Sequence, residues 1–369
     1  MIGILGAGNI GIALSCELSL RGLKNRLYTT RSDNKPKKIV LEEDDLVKYS
    51  CTIELLTDFS TVSDCSMLIV TYPSHFFKKI HNKIKPYVLD GTKIIIVPGS
   101  GGVEYVFRDF LPHSTIIGLQ RVPAVYRIKG DVATVRGRRP SLLYSAIPVS
   151  RVNESKELLE NIFNMRCDPL PNYLNVTLTP SNQLLHTSRL FALFGKNDPF
   201  HEYDSNPLFY GDWDDHSSEI ILNCDDELTK IKIAIKEMNL AGISTLREHY
   251  ESNDVSTFTA KIRSIASLHN IRSPMLKKGS KYILDWDSRY FASDFPNGIV
   301  IVKAIAIIFS VETPTIDSII NWYQSCTGKR YICNNNEFGD DICECNIPQN
   351  YGIHNSREFY KYYLDICDN

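Results

Sequence analysis

No part of the sequence carries a long run of one charge, and acidic and basic residues nearly cancel to a formal net charge of -2. That balance removes the basis for a general electrostatic attraction to nucleic acid, and no nucleic-acid partner is expected. No uninterrupted apolar run reaches the roughly 20 residues that a membrane-spanning helix needs. The most apolar stretch, Ile299 to Val311, is broken by Lys303 and reads as a buried core helix, so no membrane association is expected. No internal repeat or low-complexity segment is present, and no basic leader precedes an apolar segment, because the first strand starts at Met1. The ten cysteines are scattered, without a C-x-x-C pair. They read as free thiols of a reducing compartment, which makes a cytoplasmic protein the expectation. Cys333, Cys343 and Cys345 have no suitably spaced histidines beside them, so no metal site is expected.

What is present is ordinary globular composition, 43% hydrophobic and 23% charged, in a chain of 369 residues, long enough for two domains. Met1 to Leu5 is a short apolar strand. Ile10, Ala13, Leu14 and Leu18 then fall at helical spacing, with Gly22 as a stop. Strand-like runs follow at Asn25–Thr29, Met67–Thr71, Lys93–Val97 and Ser114–Gly118, with helix-like segments among them. Strands alternating with helices predict a doubly wound, mostly parallel sheet. From Ala124 the runs Ala124–Ile128, Val132–Val135 and Leu142–Ala146 read as antiparallel hairpins extending that sheet, followed by a helix at Asn153–Asn164. Pro169-Leu170-Pro171 marks the expected boundary between a domain at 1–172 and a domain at 173–369. Beyond it helical periodicity dominates Ser218–Met238, Val255–His269, Asn297–Val311 and Ile316–Gln324, so the second domain is expected to be all-helical.

The first strand runs directly into Gly6-Ala7-Gly8-Asn9-Ile10-Gly11, and an amphipathic helix follows at once. G-x-G-x-x-G alone is weak, but strand before and helix after give it a mechanism. The glycines permit the tight turn and close backbone approach to a pyrophosphate, and the helix N-terminus supplies oriented N–H donors. The N-terminal domain is therefore read as a Rossmann-type dinucleotide-binding domain, with Gly6, Gly8, Asn9, Ile10 and Gly11 as cofactor residues. Tyr72 and Pro73, just past the strand Met67–Thr71, join that set. After the second strand stands Thr29-Thr30-Arg31-Ser32 rather than the carboxylate that accepts from the ribose 2′-OH of NAD. Two hydroxyls and a guanidinium suit a 2′-phosphate, so Thr30, Arg31 and Ser32 predict NADP(H) in preference to NAD(H). The alternative at Arg31 is a solvated loop residue.

Taken with the glycine turn, three later segments resemble the octopine/nopaline (opine) dehydrogenase family. They are Leu119–Lys129 (LQRVPAVYRIK), Thr179–Arg189 (TPSNQLLHTSR) and Ser288–Gly298 (SRYFASDFPNG), with weaker echoes at Pro207–Gly211 and Pro348–Gly352. The resemblance implies condensation of an amino-acid amine with a 2-keto acid and reduction of the imine to an N-(1-carboxyalkyl) amino acid. It also implies that His186 is catalytic, that Asp294 pairs with it, and that Arg289 holds a substrate carboxylate. Asn182 lies one helical turn before His186 and would share its face. Imidazole is the side chain that titrates near neutral pH, which suits it to proton transfer.

Ser100 and Arg121 stand at positions that the family associates with the keto acid. Arg121 either clamps a carboxylate or turns outward. The acidic loop Asp212, Asp214 and Asp215 either meets a basic substrate or is solvated, and His75 and His81 read as solvated residues flanking a surface helix. The partners expected are small molecules, an amino acid and a 2-keto acid, acting on a monomer or homodimer. Two other readings share the N-terminal domain. One is a 2-keto-acid reductase of the ketopantoate-reductase type, which relies on a lysine where this chain has Asn182 and His186; the other is a non-catalytic NADP-binding sensor.

Overall fold

The first strand, β1 (Ile2–Leu5), is buried at all four positions, as a central strand covered on both faces must be. In the computed structural model, which describes residues 1–32, 37–111, 113–333 and 336–368, it opens the first of two units. This unit spans Met1–Thr177 and is rejoined by the chain at Tyr363; the other is Leu178–Tyr362. After β1 come α1 (Asn9–Leu20), β2 (Asn25–Tyr28), β3 (Lys37–Glu43), β4 (Leu46–Ile53), β5 (Leu55–Leu56), β6 (Met67–Val70), α2 (Phe77–Ile84), β7 (Lys93–Ile96) and α3 (Val103–Val106). The unit continues through β8 (Thr115–Leu119), β9 (Val125–Lys129), β10 (Val132–Arg136), β11 (Ser141–Ile147), α4 (Val152–Phe163), β12 (Arg166–Pro169) and α5 (Leu174–Thr177).

The large sheet runs β12-β11-β8-β7-β6-β1-β2-β5. From β5 to β8 every neighbouring pair is parallel; β11 returns antiparallel to β8. With β2 on one side of β1 and β6 on the other, the strand order reverses at β1. The carboxyl ends there form the crevice in which open α/β sheets bind ligands. The chain segments that leave β1, β2, β6, β7 and β8 all emerge on that edge.

The expected hairpin is present as β9 and β10, but it does not extend the large sheet. It belongs to a second sheet, β4-β3-β10-β9, whose other two strands, β3 and β4, the sequence pattern does not announce. Their turn is Asp44-Asp45, both with positive φ (48° and 66°), the geometry of a two-residue hairpin normally announced by Asn-Gly or Asp-Gly. Ile39 and Leu41 bury one face of β3 against Ala13, Leu14 and Leu18 of α1, in one core with Ile4 and Leu27. His81 also departs from expectation. It is 6% exposed, packed on Phe107 and Phe110, and burial lowers its pKa, so it is a neutral core residue. His75 is half-buried against the ring of Phe76.

The second unit contains α6 (Asn182–Phe194), α7 (Asp215–Ala234), α8 (Leu246–Tyr250), α9 (Val255–Ser264), α10 (Ala266–His269), α11 (Arg289–Ala292), α12 (Val300–Ile308), α13 (Pro314–Thr327) and the start of α14 (Ser356–Asp368). Its helical character is as expected, with one antiparallel ribbon added, β13 (Met275–Lys278) and β14 (Lys281–Leu284). A wide π-type turn at Phe295–Ile299 joins α11 to α12, giving a helical run over Arg289–Ile308. That run is long and apolar enough to cross a membrane, but 83% of its apolar window is buried within the protein. Lys303, inside it, is paired with Asp317 (2.6 Å) and donates to Thr313 (3.0 Å), which offsets the cost of a buried charge. Aromatic rings of Trp286, Phe291, Phe295, Trp322 and Tyr323 stack into one cluster, a packing role.

Two local constraints generate measurable consequences. A Cβ on Gly298 would lie 2.7 Å from Cβ of Gln183, so only glycine lets the π-type turn approach α6 this closely. Gly298→Ala is expected to destabilise the protein by about 1–3 kcal/mol through overpacking, read as a lowered urea midpoint; an unchanged midpoint would refute the constraint. In the first unit the fully buried Glu104 accepts from Thr177 Oγ1 (2.5 Å) and Tyr363 Oη (3.1 Å). Burial raises its pKa from 4.5 to about 7. The native state therefore holds this proton more tightly than the unfolded chain. The resulting stability is complete below about pH 4.5 and is lost as the pH rises through about 7, on the order of 3 kcal/mol in all. Glu104→Gln does not titrate, so urea titrations should show its stability relative to wild type rising by that order between pH 5 and 8.

Candidate active site

The glycine turn is built by exclusion. Gly6 has φ 118°, and a Cβ there would stand 2.8 Å from Thr71 Oγ1. A Cβ on Gly11 would collide with the Gly6 carbonyl oxygen, whereas one on Gly8 would meet nothing within 4 Å. Gly8 thus faces open space at the start of α1, whose N-terminus has no side-chain cap and no acidic residue in its first turn. Unclaimed N–H donors, a partial positive charge and a missing side chain fit a pyrophosphate. Asn9 braces the turn by accepting from Ile128 N (3.2 Å), while Ile10 packs its side chain against the core.

Beside the turn, Thr30 N donates to Tyr72 Oη (3.0 Å), and Arg31 N donates to Thr29 Oγ1 (3.1 Å). The β2 and β6 loops are therefore joined, with Pro73 next to the junction. Arg31 and Ser32 are exposed, and no hydrogen bond from the Arg31 guanidinium is found among the described residues. Ser100, after β7, and Arg121, after β8, are both half-buried on the same carboxyl edge of the sheet.

The second unit assembles the titratable groups. His186 lies on α6 and is 1% exposed. Its Nδ1 is 2.7 Å from Asp294 Oδ2, and its Nε2 is 2.9 Å from Tyr210 Oη. The close approach at Gly298 is what brings Asp294, four residues before it, within reach of α6. Burial lowers the His186 pKa, opposed by the Asp294 carboxylate and reinforced by Arg289. The net direction is downward, so at neutral pH the ring is uncharged and its contact with Asp294 is a hydrogen bond rather than an ion pair. A neutral ring facing a carboxylate must carry its proton on Nδ1. Nε2 is then the acceptor, and the Tyr210 hydroxyl donates to it. Tyr290 lies over the imidazole at 4.1 Å and Phe209 meets it edge-on.

Arg289 is exposed and Asn182 half-buried; no side-chain hydrogen bond of either is found among the described residues. The acidic loop is exposed at Asp212, Asp214 and Asp215, as a solvated loop would be, but two of its carboxylates also have partners within the protein. Asp214 caps α7 through Ser217 N and meets the buried guanidinium of Arg189; Asp212 accepts from Leu208 N. Arg189 also donates to the carbonyls of Phe209 and Asp212, so the loop is strapped to α6 one turn beyond His186. Sequence reasoning missed Tyr210 and Arg189. Each lies inside a segment that had been singled out, yet nothing in the linear order shows that the loop folds back over its own helix.

The chain is similar to known proteins over most of its length. The profile of the NAD/NADP octopine/nopaline dehydrogenase alpha-helical domain matches residues 169–327. The tauropine dehydrogenase of Arabella iricolor is 24% identical over 78% of this chain and 77% of its own length. The opine dehydrogenase of Haliotis discus hannai is 23% identical over 95% and 96%. Among solved structures, octopine dehydrogenase with NADH and L-arginine superposes with a TM-score of 0.80 at 21% identity, covering 97% of each chain. NADP+-bound yersinopine dehydrogenase gives 0.64 at 12% identity over 88% and 90%. These likenesses span both units; residues 169–327 match the alpha-helical domain of NAD/NADP octopine/nopaline dehydrogenases, and the chain as a whole is similar to NAD(P)-binding oxidoreductases acting on CH–NH donors.

Proposed function

We propose that this protein catalyses the reductive condensation of an amino acid with a 2-keto acid such as pyruvate, giving an N-(1-carboxyalkyl) amino acid. The observation that carries the reading is the His186–Asp294 hydrogen bond, a buried neutral imidazole whose tautomer is fixed by a carboxylate. His186 accepts and returns the proton, while Asp294 orients the ring and stabilises the imidazolium formed in passing. Arg289, exposed and with its guanidinium over the Tyr290 ring, holds a substrate carboxylate; Asn182 presents its amide from the same helix as His186. Ser100 and Arg121 recognise the keto acid. When bound, the reduced nicotinamide supplies the hydride. The absence of a lysine at Asn182 and His186 favours this reading over a ketopantoate-type reductase. The protein acts in the cytoplasm, as a monomer or homodimer, on small molecules only.

The pyrophosphate is held by Gly6, Gly8, Asn9, Ile10 and Gly11 with the N-terminus of α1, and Tyr72 and Pro73 wall the adenosine side. Thr30, Arg31 and Ser32 favour NADP(H) over NAD(H), because two hydroxyls and an exposed guanidinium suit a 2′-phosphate.

Pyruvate, glyoxylate and 2-ketoglutarate tested against the twenty amino acids should show NADPH oxidation that requires both partners; equal oxidation with keto acid alone would establish a simple reductase instead. His186→Ala should bind NADPH as wild type does and lose at least about 10²-fold in kcat. Near-normal turnover would refute its role. For the cofactor, kcat/KM should favour NADPH over NADH, and Arg31→Ala should erode that preference by about tenfold, the scale of one charge-assisted hydrogen bond. A wild-type preference for NADH would overturn the assignment.

A further inference from the structure

Both ring nitrogens of His186 are already committed. Nδ1–H donates to Asp294, and Nε2 accepts from Tyr210 Oη. No lone pair remains on the imidazole for a substrate, and Tyr210 itself is only 4% exposed. Its hydroxyl oxygen keeps acceptor capacity after donating to Nε2, which makes it the atom through which a proton reaches the ring.

Tyr210 is also held in place. Its carbonyl accepts from Trp213 N (3.2 Å), and its ring lies parallel to the Trp213 indole at 6.3 Å. The peptide on one side is fixed by Phe209 N donating to Ile271 O (2.7 Å) and by Arg189 Nε donating to Phe209 O (2.9 Å). Arg189 further holds the Asp212 carbonyl (2.6 Å) and lies over the Trp213 ring. A side chain packed on its ring face and fixed through its backbone does not swing aside to uncover Nε2.

We propose that Tyr210 is a further catalytic residue, a hydroxyl relay that carries the proton between the substrate amine and His186. This rests on the function proposed above. In the condensation an N–H bond of the substrate ammonium breaks, and its proton passes to Tyr210 Oη as the hydroxyl's own proton passes to His186 Nε2. The phenol is regenerated in the same movement, so no tyrosinate accumulates. The amine lone pair then attacks the keto carbon, and within the adduct an N–H proton moves to the former carbonyl oxygen. The imidazolium returns its Nε2 proton through Oη to that hydroxyl. The C–O bond breaks with its electron pair on oxygen, water leaves, and C=N forms. His186 and Tyr210 end in their starting states.

The test is Tyr210→Phe, which deletes one oxygen, run beside His186→Ala and the double variant. A serial relay predicts a kcat loss of about 10²-fold for Tyr210→Phe, with the amine KM and NADPH Kd changed less than about threefold. It also predicts that the double variant is no slower than His186→Ala alone, because groups acting in series are non-additive. Turnover of Tyr210→Phe within about threefold of wild type, with His186→Ala lost, would overturn the relay and leave the proposed reaction standing. Losses that multiply in the double variant would overturn it too. If His186→Ala keeps its activity, both assignments fall. A second measurement needs no variant: 15N NMR of histidine-labelled protein without substrate should show His186 protonated on Nδ1, with Nε2 bare and hydrogen-bonded. A proton fixed on Nε2 would overturn the proposal.

Discussion

The hydrogen bond between His186 and Asp294 sets the terms for everything around it. An imidazole that is 1% exposed loses its hydration, and without partners each ring nitrogen would carry an unmet polar cost. Asp294 and Tyr210 meet those costs from opposite edges of the ring, while Tyr290 and Phe209 fill the faces with apolar surface. Each partner imposes a further demand. Asp294 requires the π-type turn, which requires a glycine where that turn passes Gln183. Tyr210 requires a loop that folds back over α6, which requires Arg189 to satisfy the carbonyls the loop turns inward. The buried arginine, the wide turn and the glycine are thus consequences of placing one neutral base out of water.

The two units solve recognition by different means. In the first, the parts that suit a dinucleotide are backbone: N–H donors at a helix start, a Cβ-free approach at Gly8, and loops delivered to one edge by parallel strands. Such a site depends on topology, so it needs only a few glycines in fixed positions. In the second unit the buried polar groups are side chains on a helix, a turn and a loop, and their geometry depends on packing. A change of a few tenths of an ångström at Gly298 is felt at Asp294, whereas the glycine turn tolerates any sequence that keeps strand, turn and helix.

That difference also explains what could be read from the chain alone. The strand–glycine–helix order is local and therefore legible, as were the parallel strands and the long helices of the second unit. The hairpin Lys37–Ile53 was missed because its turn is Asp-Asp with both φ positive, a conformation that asparagine and glycine adopt more readily and announce more clearly. His81 was misread because its helix looks amphipathic in sequence, and only the packing of Phe107 and Phe110 shows that its face is covered. His186 and Asp294, separated by 108 residues, came from resemblance and not from periodicity. Tyr210 and Arg189 came from neither, since a loop's return path leaves no periodic trace.

Proton affinity at His186 follows from opposed terms of similar kind. Burial lowers the pKa, the Asp294 carboxylate raises it and Arg289 lowers it again. A carboxylate-bearing substrate bound at Arg289 would neutralise one of the two lowering influences and leave Asp294 less opposed. Binding then raises the basicity of the ring when there is a proton to accept. In the free protein the same ring stays neutral and fully hydrogen-bonded. On the proposed reading the base is therefore stable to burial when idle and strengthened by the ligand it serves, which would be the thermodynamic advantage of an arginine five residues from the carboxylate that orients the histidine.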